Sequence, residues 1–281
     1  SLNFFFFSFT NIINLIMRIF FLNIFILSVF ASCQIKNESK AETTETKIVP
    51  TSEKPTENTE FSYLPTSTSN AIYEHKGYTF SYVEAHEQSE WVAYLLEDGK
   101  WKYSNLERPL FEQDPIVETE SAHWRNYKKS GYTKGHLCPA GDRKQTQELF
   151  DETFFTSNAS PQLYDFNAGV WNRLENKVRY WAGKYDGIYV VTGGVLSDDL
   201  ETIGTEDVSV PKYFYKVLLT KDKTRMIAFL VPHEKSNQPL YEFVVSVDEL
   251  EKKTGIDFFP KLDDTSENKL EASKDYKGWS F

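Results

Sequence analysis

Cysteine is scarce: the 281 residues contain two, Cys33 and Cys138. A disulfide framework needs more than that, and their contexts differ too much for them to be expected to pair. Histidine is also rare. His75, His86, His123, His136 and His233 are the whole set, and no two have the spacing of zinc ligands. HExxH is missing, because Glu90 stands where His86-Glu87 would need a second histidine. GxSxG, CxxC and the phosphate-cradling GxxxxGK followed by Ser or Thr are missing too. These gaps argue against a zinc hydrolase, a serine-nucleophile elbow, a dithiol redox centre and a P-loop. Positive charge is in the minority, with 31 Lys and Arg against 41 Asp and Glu, for a net charge of −10. A protein that only coats DNA is usually basic, since neutralising phosphate dominates that affinity. No apolar run reaches membrane-span length either. Ser8, Thr10, Asn11, Asn14, Arg18 and Asn23 interrupt the N-terminal apolar stretch before ~20 residues accumulate.

What is present falls into three regions. Residues 1–32 are rich in Phe and Ile. Within them Met17-Arg18 opens a tighter pattern: one positive charge, an apolar run from Ile19 to Phe30, then Ala31-Ser32-Cys33. That is a signal-peptide layout, with Met17 the expected start and residues 1–16 upstream sequence. The cysteine at the cut resembles a bacterial lipobox. It implies lipidation of Cys33, a membrane partner through the lipid anchor, and a place on the bacterial cell envelope. The region from Cys33 to residue 71 is mostly Glu, Lys, Thr, Ser, Asn and Pro. Such a segment buries too little surface to offset its ordering entropy, so a disordered tether is expected.

Residues 72–281 carry the patterns of a folded domain. Strands are predicted over Tyr78–Val83, Trp91–Leu96, Gly187–Val195 and Phe243–Val247, with a hairpin across Tyr213–Pro232. A short helix is predicted from Asp248 to Thr254, stopped by Gly255. Strands dominate, which favours an α+β domain with a mainly antiparallel central sheet flanked by helices. The longest helix is predicted within FNAGVWNRLENKVRYWA. There Trp171, Leu174, Val178 and Trp181 form a core-facing stripe, and Asn167 falls on it one turn earlier. An inward asparagine costs ~1–3 kcal/mol unless satisfied, and an N-cap is one way to satisfy it. Between Ser121 and Lys144 lie Arg125, Lys128, Lys129, Lys134, Arg143 and Lys144 against the single acid Asp142. This is either a positive patch that guides a polyanion to a cleft or a solvated charged face. Cys138 reads as a small buried packing residue, and His233 as a loop residue.

Three ordered blocks carry a resemblance: KGHLCPAGDR, DETFFTSNASPQ and FNAGVWNRLENKVR. With ERPLFEQDP upstream, and YVVTGGV, VPKYFYKV, AFLVP and VSVDELEKKTGIDFFP downstream, the chain from Tyr73 to Pro260 resembles the DNA/RNA non-specific endonucleases. These form part of the ββα-metal (His-Me finger) superfamily. The resemblance implies that domain fold and hydrolysis of phosphodiester bonds in DNA and RNA without sequence preference. It casts His136 as general base and Asn167 as the asparagine that holds Mg²⁺, or Mn²⁺ in its place. Asn158 would orient the histidine region, and Glu175 would bond the metal's water shell. Arg179, Lys134 and Arg108 would sit on the phosphate. The chemistry is self-consistent: a neutral imidazole can take a proton. Mg²⁺ keeps several waters and needs few protein ligands. Backbone-directed cations read no sequence. The family's Asp-Arg-Gly-His is here Thr133-Lys134-Gly135-His136. Lysine keeps the charge without the bidentate fork, and Thr133 lacks the carboxylate. A catalytically attenuated nucleic-acid-binding lipoprotein of the same fold is therefore the alternative.

Overall fold

The computed structural model describes residues 61–97, 99 and 105–281. The expected signal peptide, Cys33 and most of the expected tether lie outside them. The described residues fall in one compact unit spanning Asn58–Phe281.

The strands, in chain order, are β1 (Ile72–Glu74), β2 (Thr79–Val83), β3 (Gln88–Leu96), β4 (Thr133–His136), β5 (Ala159–Gln162) and β6 (Ile188–Gly194). They continue with β7 (Glu201–Ile203), β8 (Val208–Val210), β9 (Tyr213–Thr220), β10 (Met226–Pro232) and β11 (Val244–Val245). The α-helices are α1 (Gln147–Glu152), α2 (Asn172–Lys184), α3 (Val247–Thr254) and α4 (Asp264–Glu271). Seven strands form the main sheet in the order β1-β2-β3-β6-β9-β10-β11, and every neighbouring pair is antiparallel. The architecture is the expected α+β one, with helices on both faces of the sheet.

Alternation along the strands builds the two faces. On β3, Val92, Tyr94 and Leu96 join the core that receives Trp171, Leu174, Val178 and Trp181 of the long helix. Trp91 and Ala93 point the other way, into a core with Leu250, Ile256, Phe258 and Phe259. The predicted stripe of α2 is thus core, with all four residues at most 1% exposed.

Packing begins before the expected boundary at residue 72. Phe61, Tyr63 and Leu64 lie against the second core, and the Trp91 indole donates to the Thr66 carbonyl at 2.9 Å. Three aromatic or aliphatic side chains in four residues supply the apolar surface that the rest of the tether sequence lacks. The strand expected over Phe243–Val247 shrinks to Val244–Val245. Ser246 caps α3 by accepting from the Glu249 amide, so the chain turns helical as soon as the cap is made.

The remaining strands form two small ribbons, β4-β5 and β7-β8. The β4-β5 pair, followed by a wide helical turn and α2, is the ββα unit. It stands apart from the main sheet and carries the candidate site.

Candidate active site

In the β4-β5 ribbon, His136 is opposite Ala159, Gly135 opposite Ser160 and Lys134 opposite Pro161. Glycine at 135 is required by contact: a Cβ there would meet the Gln162 side chain at 2.1 Å. That close approach lets the two strands present Lys134 and His136 from adjoining positions. Beyond His136 the chain is clamped by Asn158. Its Oδ1 accepts from the Cys138 amide at 2.8 Å, and its Nδ2 donates to the carbonyls of Cys138 at 3.0 Å and Thr153 at 2.9 Å. Asn158 is fully buried. It therefore positions the histidine strand and does not itself face the cleft, and the same burial removes its amide from glycosylation.

The His136 ring is held between Phe111 and Phe154, with centroids at 5.1 and 4.9 Å and an edge-on contact to Phe154. Its Nε2 is buried without a hydrogen-bond partner. Desolvation, helped by the positive charge of Arg108, pushes its pKa down to about 3. The imidazole is therefore neutral across the physiological range.

Asn167 enters from the other side. The helix does not begin on it. Phe166–Trp171 is a π-type turn, kinked at Gly169, that runs into α2. The wider turn puts Phe166, Val170 and Trp171 in the core and brings Asn167 to the cleft wall. Asn167 is thus neither an N-cap nor a core residue, contrary to extrapolating the α-helical phase back from Trp171. Such turns interrupt the 3.6-residue phase that the expectation assumed, and they are common at functional sites. Its Nδ2 donates to Thr133 Oγ1 at 3.2 Å. The Thr133 hydroxyl in turn donates to the Gln162 carbonyl at 2.9 Å. With its amide nitrogen engaged by Thr133, the side-chain oxygen remains available as a donor to a hard cation.

A cleft of about 920 Å³ brings together Arg108, Lys134, His136, Asn167 and Glu175, along with Phe111, Thr133 and Asn172. Lys134 and Arg108 make no ion pair among the described residues. They rest instead on aromatic faces: Lys134 Nζ is 5.3 Å from the Phe111 centroid, and the Arg108 guanidinium is 5.2 Å from that of Phe154. Desolvation and then Arg108 lower the Lys134 pKa. Two uncompensated cations beside a neutral imidazole favour an anion. Glu175 is 13% exposed in its side chain. Burial, partly countered by Lys216 and Arg179, lifts its pKa to about 7.

Arg179 differs from its expected place. It does not line the cleft. Its Nε donates to Asp142 Oδ1 at 2.6 Å, and a terminal nitrogen lies 3.8 Å from Glu175 Oε2. One turn after Glu175, it is satisfied by the buried Asp142 before it can reach a ligand. The expected basic patch is dispersed too. Arg143 is buried on the carbonyls of Gly77, Asp142 and Leu95, while Arg125, Lys128 and Lys129 line a separate hollow.

Sequence reasoning missed several residues. Asp142 also accepts from the Tyr94 hydroxyl at 3.0 Å. Lys216 is buried under the helix, with its Nζ 3.1 Å from Thr192 Oγ1 and 4.5 Å from the Trp171 ring centroid. A lysine amid YFYKVLL was the available signal, since a charge within an apolar strand needs a partner. His233 is a clamp and more than a loop residue: Nδ1 donates to the Pro211 carbonyl, and Nε2 accepts from the Leu163 amide just after β5. Trp124 and Tyr164, 36% and 70% exposed, stand at the cleft wall. Cys138 is fully buried, with its thiol pKa pushed up to about 12 by desolvation, so it packs, as expected.

Comparison with known proteins places the chain in a family. The family model described as DNA/RNA non-specific endonuclease matches residues 56–265. Mitochondrial nuclease EXOG of Danio rerio is 35% identical over 218 residues, covering 71% of this chain and 63% of that protein. Nuclease C1 of Cunninghamella echinulata is 33% identical over 215 residues, covering 70% and 85%. A crystal structure of an EndoG/EndoGI complex superposes with a TM-score of 0.62 at 31% identity, covering 68% of this chain and 86% of the solved one. The chain spans about three fifths of the length of the EXOG relatives.

Proposed function

The chain belongs to the DNA/RNA non-specific endonuclease family, and from that premise we propose that it hydrolyses phosphodiester bonds of DNA and RNA without sequence preference, using a divalent metal ion. The observation that carries the reading is the cleft itself, which a neutral histidine, an amide oxygen, a carboxylate and two cations without an ion pair among the described residues line together. His136 takes the proton of the attacking water. Arg108 and Lys134 hold the non-bridging oxygens of the scissile phosphate, a preorganised match to the charge that grows there. Asn158 keeps the histidine strand in place, and Arg179 with Asp142 steadies Glu175.

The donor set fits Mg²⁺. Oxygen donors from Asn167 and Glu175 border the same space, and Thr133 engages the Asn167 nitrogen so that its oxygen is left available. This cation keeps most of its waters and needs few protein ligands. When bound, it would supply Lewis-acid stabilisation of the phosphate and the leaving oxygen. Thr133 in place of the family's aspartate thus retains a positioning role, which favours activity over an attenuated binding protein. The exposed rings of Trp124 and Tyr164 offer faces on which any base can stack, in keeping with indifference to sequence.

Incubating the purified chain with supercoiled plasmid and structured RNA, with Mg²⁺ and then with EDTA, tests the reading. Cutting of both polymers that stops on chelation is expected. Salt-sensitive binding without cutting would instead establish the attenuated alternative. The lipid anchor at Cys33 and the envelope location rest on the N-terminal pattern alone. Mass spectrometry of the mature protein decides them, and an unmodified Cys33 refutes both.

A further inference from the structure

A second cluster of ligating groups lies away from the cleft, where α3 and α4 meet. Carboxylate oxygens of Asp248, Glu251 and Glu271 lie within 4.8 Å of one another, and so do those of Asp257, Glu267 and Glu271. Glu271 is common to both sets, so five carboxylates converge on one small region. None of the five forms an ion pair among the described residues. The neighbouring Lys274 is engaged instead by Glu249, at 2.6 Å.

Acidic residues gathered on a surface need no explanation, but Glu271 is not on the surface. It is 7% exposed, and its Oε1 is buried with no hydrogen-bond partner. An ionised carboxylate in that state is costly unless a cation meets it. Its surroundings are held in place. The Phe258 amide donates to Glu251 Oε1 at 2.9 Å. Asp257 is fixed through its backbone to Thr66, with bonds of 2.9 Å to the Thr66 amide and 2.8 Å to its hydroxyl.

We propose that this cluster is a calcium site in which Glu271 is the ligand common to two overlapping positions, one completed by Asp248 and Glu251 and the other by Asp257 and Glu267. Calcium takes six to eight oxygens at about 2.3–2.6 Å, so two ligand atoms on one ion stand at most about 5 Å apart, and both sets meet that limit. Magnesium keeps its waters and is seldom held by an all-carboxylate cage. Through Glu271 the ion would tie α4 to α3 in the first position and to the loop between them in the second, opposite the face that builds the cleft. Its role is structural and independent of the nuclease chemistry.

The test uses the Asn167→Ala chain, in which the cleft donor is removed, stripped with EDTA and dialysed. Isothermal titration with CaCl₂ alone should show one ion per chain with a Kd of about 10⁻⁵–10⁻³ M. At a hundred times Kd the folded-to-unfolded ratio should rise about 100-fold. Adding Glu271→Gln should weaken binding at least tenfold. If that variant does not fold, Glu267→Gln with Asp257→Asn, both nearer the surface, should weaken it by a similar factor. Absence of binding up to 10 mM Ca²⁺, equal binding of Mg²⁺, or unchanged affinity in the carboxylate variants overturns the proposal.

Discussion

Replacing Glu175 with glutamine should make the metal-free protein more stable while removing its activity. The Glu175 carboxyl is moved from an ordinary 4.5 to about 7, first by burial and against the pull of Lys216 and Arg179. A displacement of that size corresponds to about 3 kcal/mol against the charged form in the native state. Between those two values the native chain keeps a proton that the unfolded chain has released. Stability therefore falls as pH rises through that window, and the cost is fully present above pH 7. Glutamine preserves the shape and carries no charge. In EDTA at pH 8 the variant should gain about 1–3 kcal/mol, or about 2–10 °C in Tm for a domain of this size. Near pH 4, where the carboxyl is protonated in both states, the gain should vanish. Urea unfolding at the two pH values measures it. Plasmid cutting in Mg²⁺ should fall by about 10²–10³, the cost of losing a polar group that meets developing charge. A variant destabilised equally at both pH values would refute the reasoning, because Glu175 would then be an ordinary stabilising ion-pair partner.

Asn158→Ala should cost about 2–4 kcal/mol, since it strands buried backbone groups of Cys138 and Thr153. Activity should drop in the residual folded fraction, as read by chemical denaturation beside a nuclease assay. Gly135→Ala should be nearly as damaging, because the new methyl would overlap the Gln162 side chain, and circular dichroism with a cutting assay reads this out. Lys134→Ala should weaken oligonucleotide binding and reduce the slope of log K against log salt by about 1, without changing the bases preferred. A chain beginning at residue 72 should melt below one beginning at 58, because it lacks Phe61, Tyr63 and Leu64 on the second core.

The main strands were legible because their periodicity is local. Val92, Tyr94 and Leu96 against Trp91 and Ala93 state both faces of β3 without reference to the rest of the chain. The α2 stripe was legible for the same reason. Asn167 was placed wrongly in detail, because a π-type turn shifts the helical phase and nothing in FNAGVW announces it except Gly169. Arg179 was misplaced because its partner, Asp142, is 37 residues away in a turn whose burial only the fold creates. Lys216 and Glu271 are the same kind of case. Each is a charge whose meaning depends on being buried, and burial of a charged side chain is the property that sequence reports least well. The triplet Lys134, Gly135 and His136 was legible in type but not in purpose. That the glycine exists to admit Gln162 follows only from the paired register of β4 and β5.

The central claim is that the His136 imidazole, neutral and held between Phe111 and Phe154, removes the proton that makes water a nucleophile. Single-turnover cutting of a labelled duplex by His136→Ala, run beside wild type with DNA affinity measured on the same samples, tests it most directly. The account predicts a rate loss of at least about 10²-fold with affinity essentially unchanged. Cutting at the wild-type rate by a folded His136→Ala chain would contradict it.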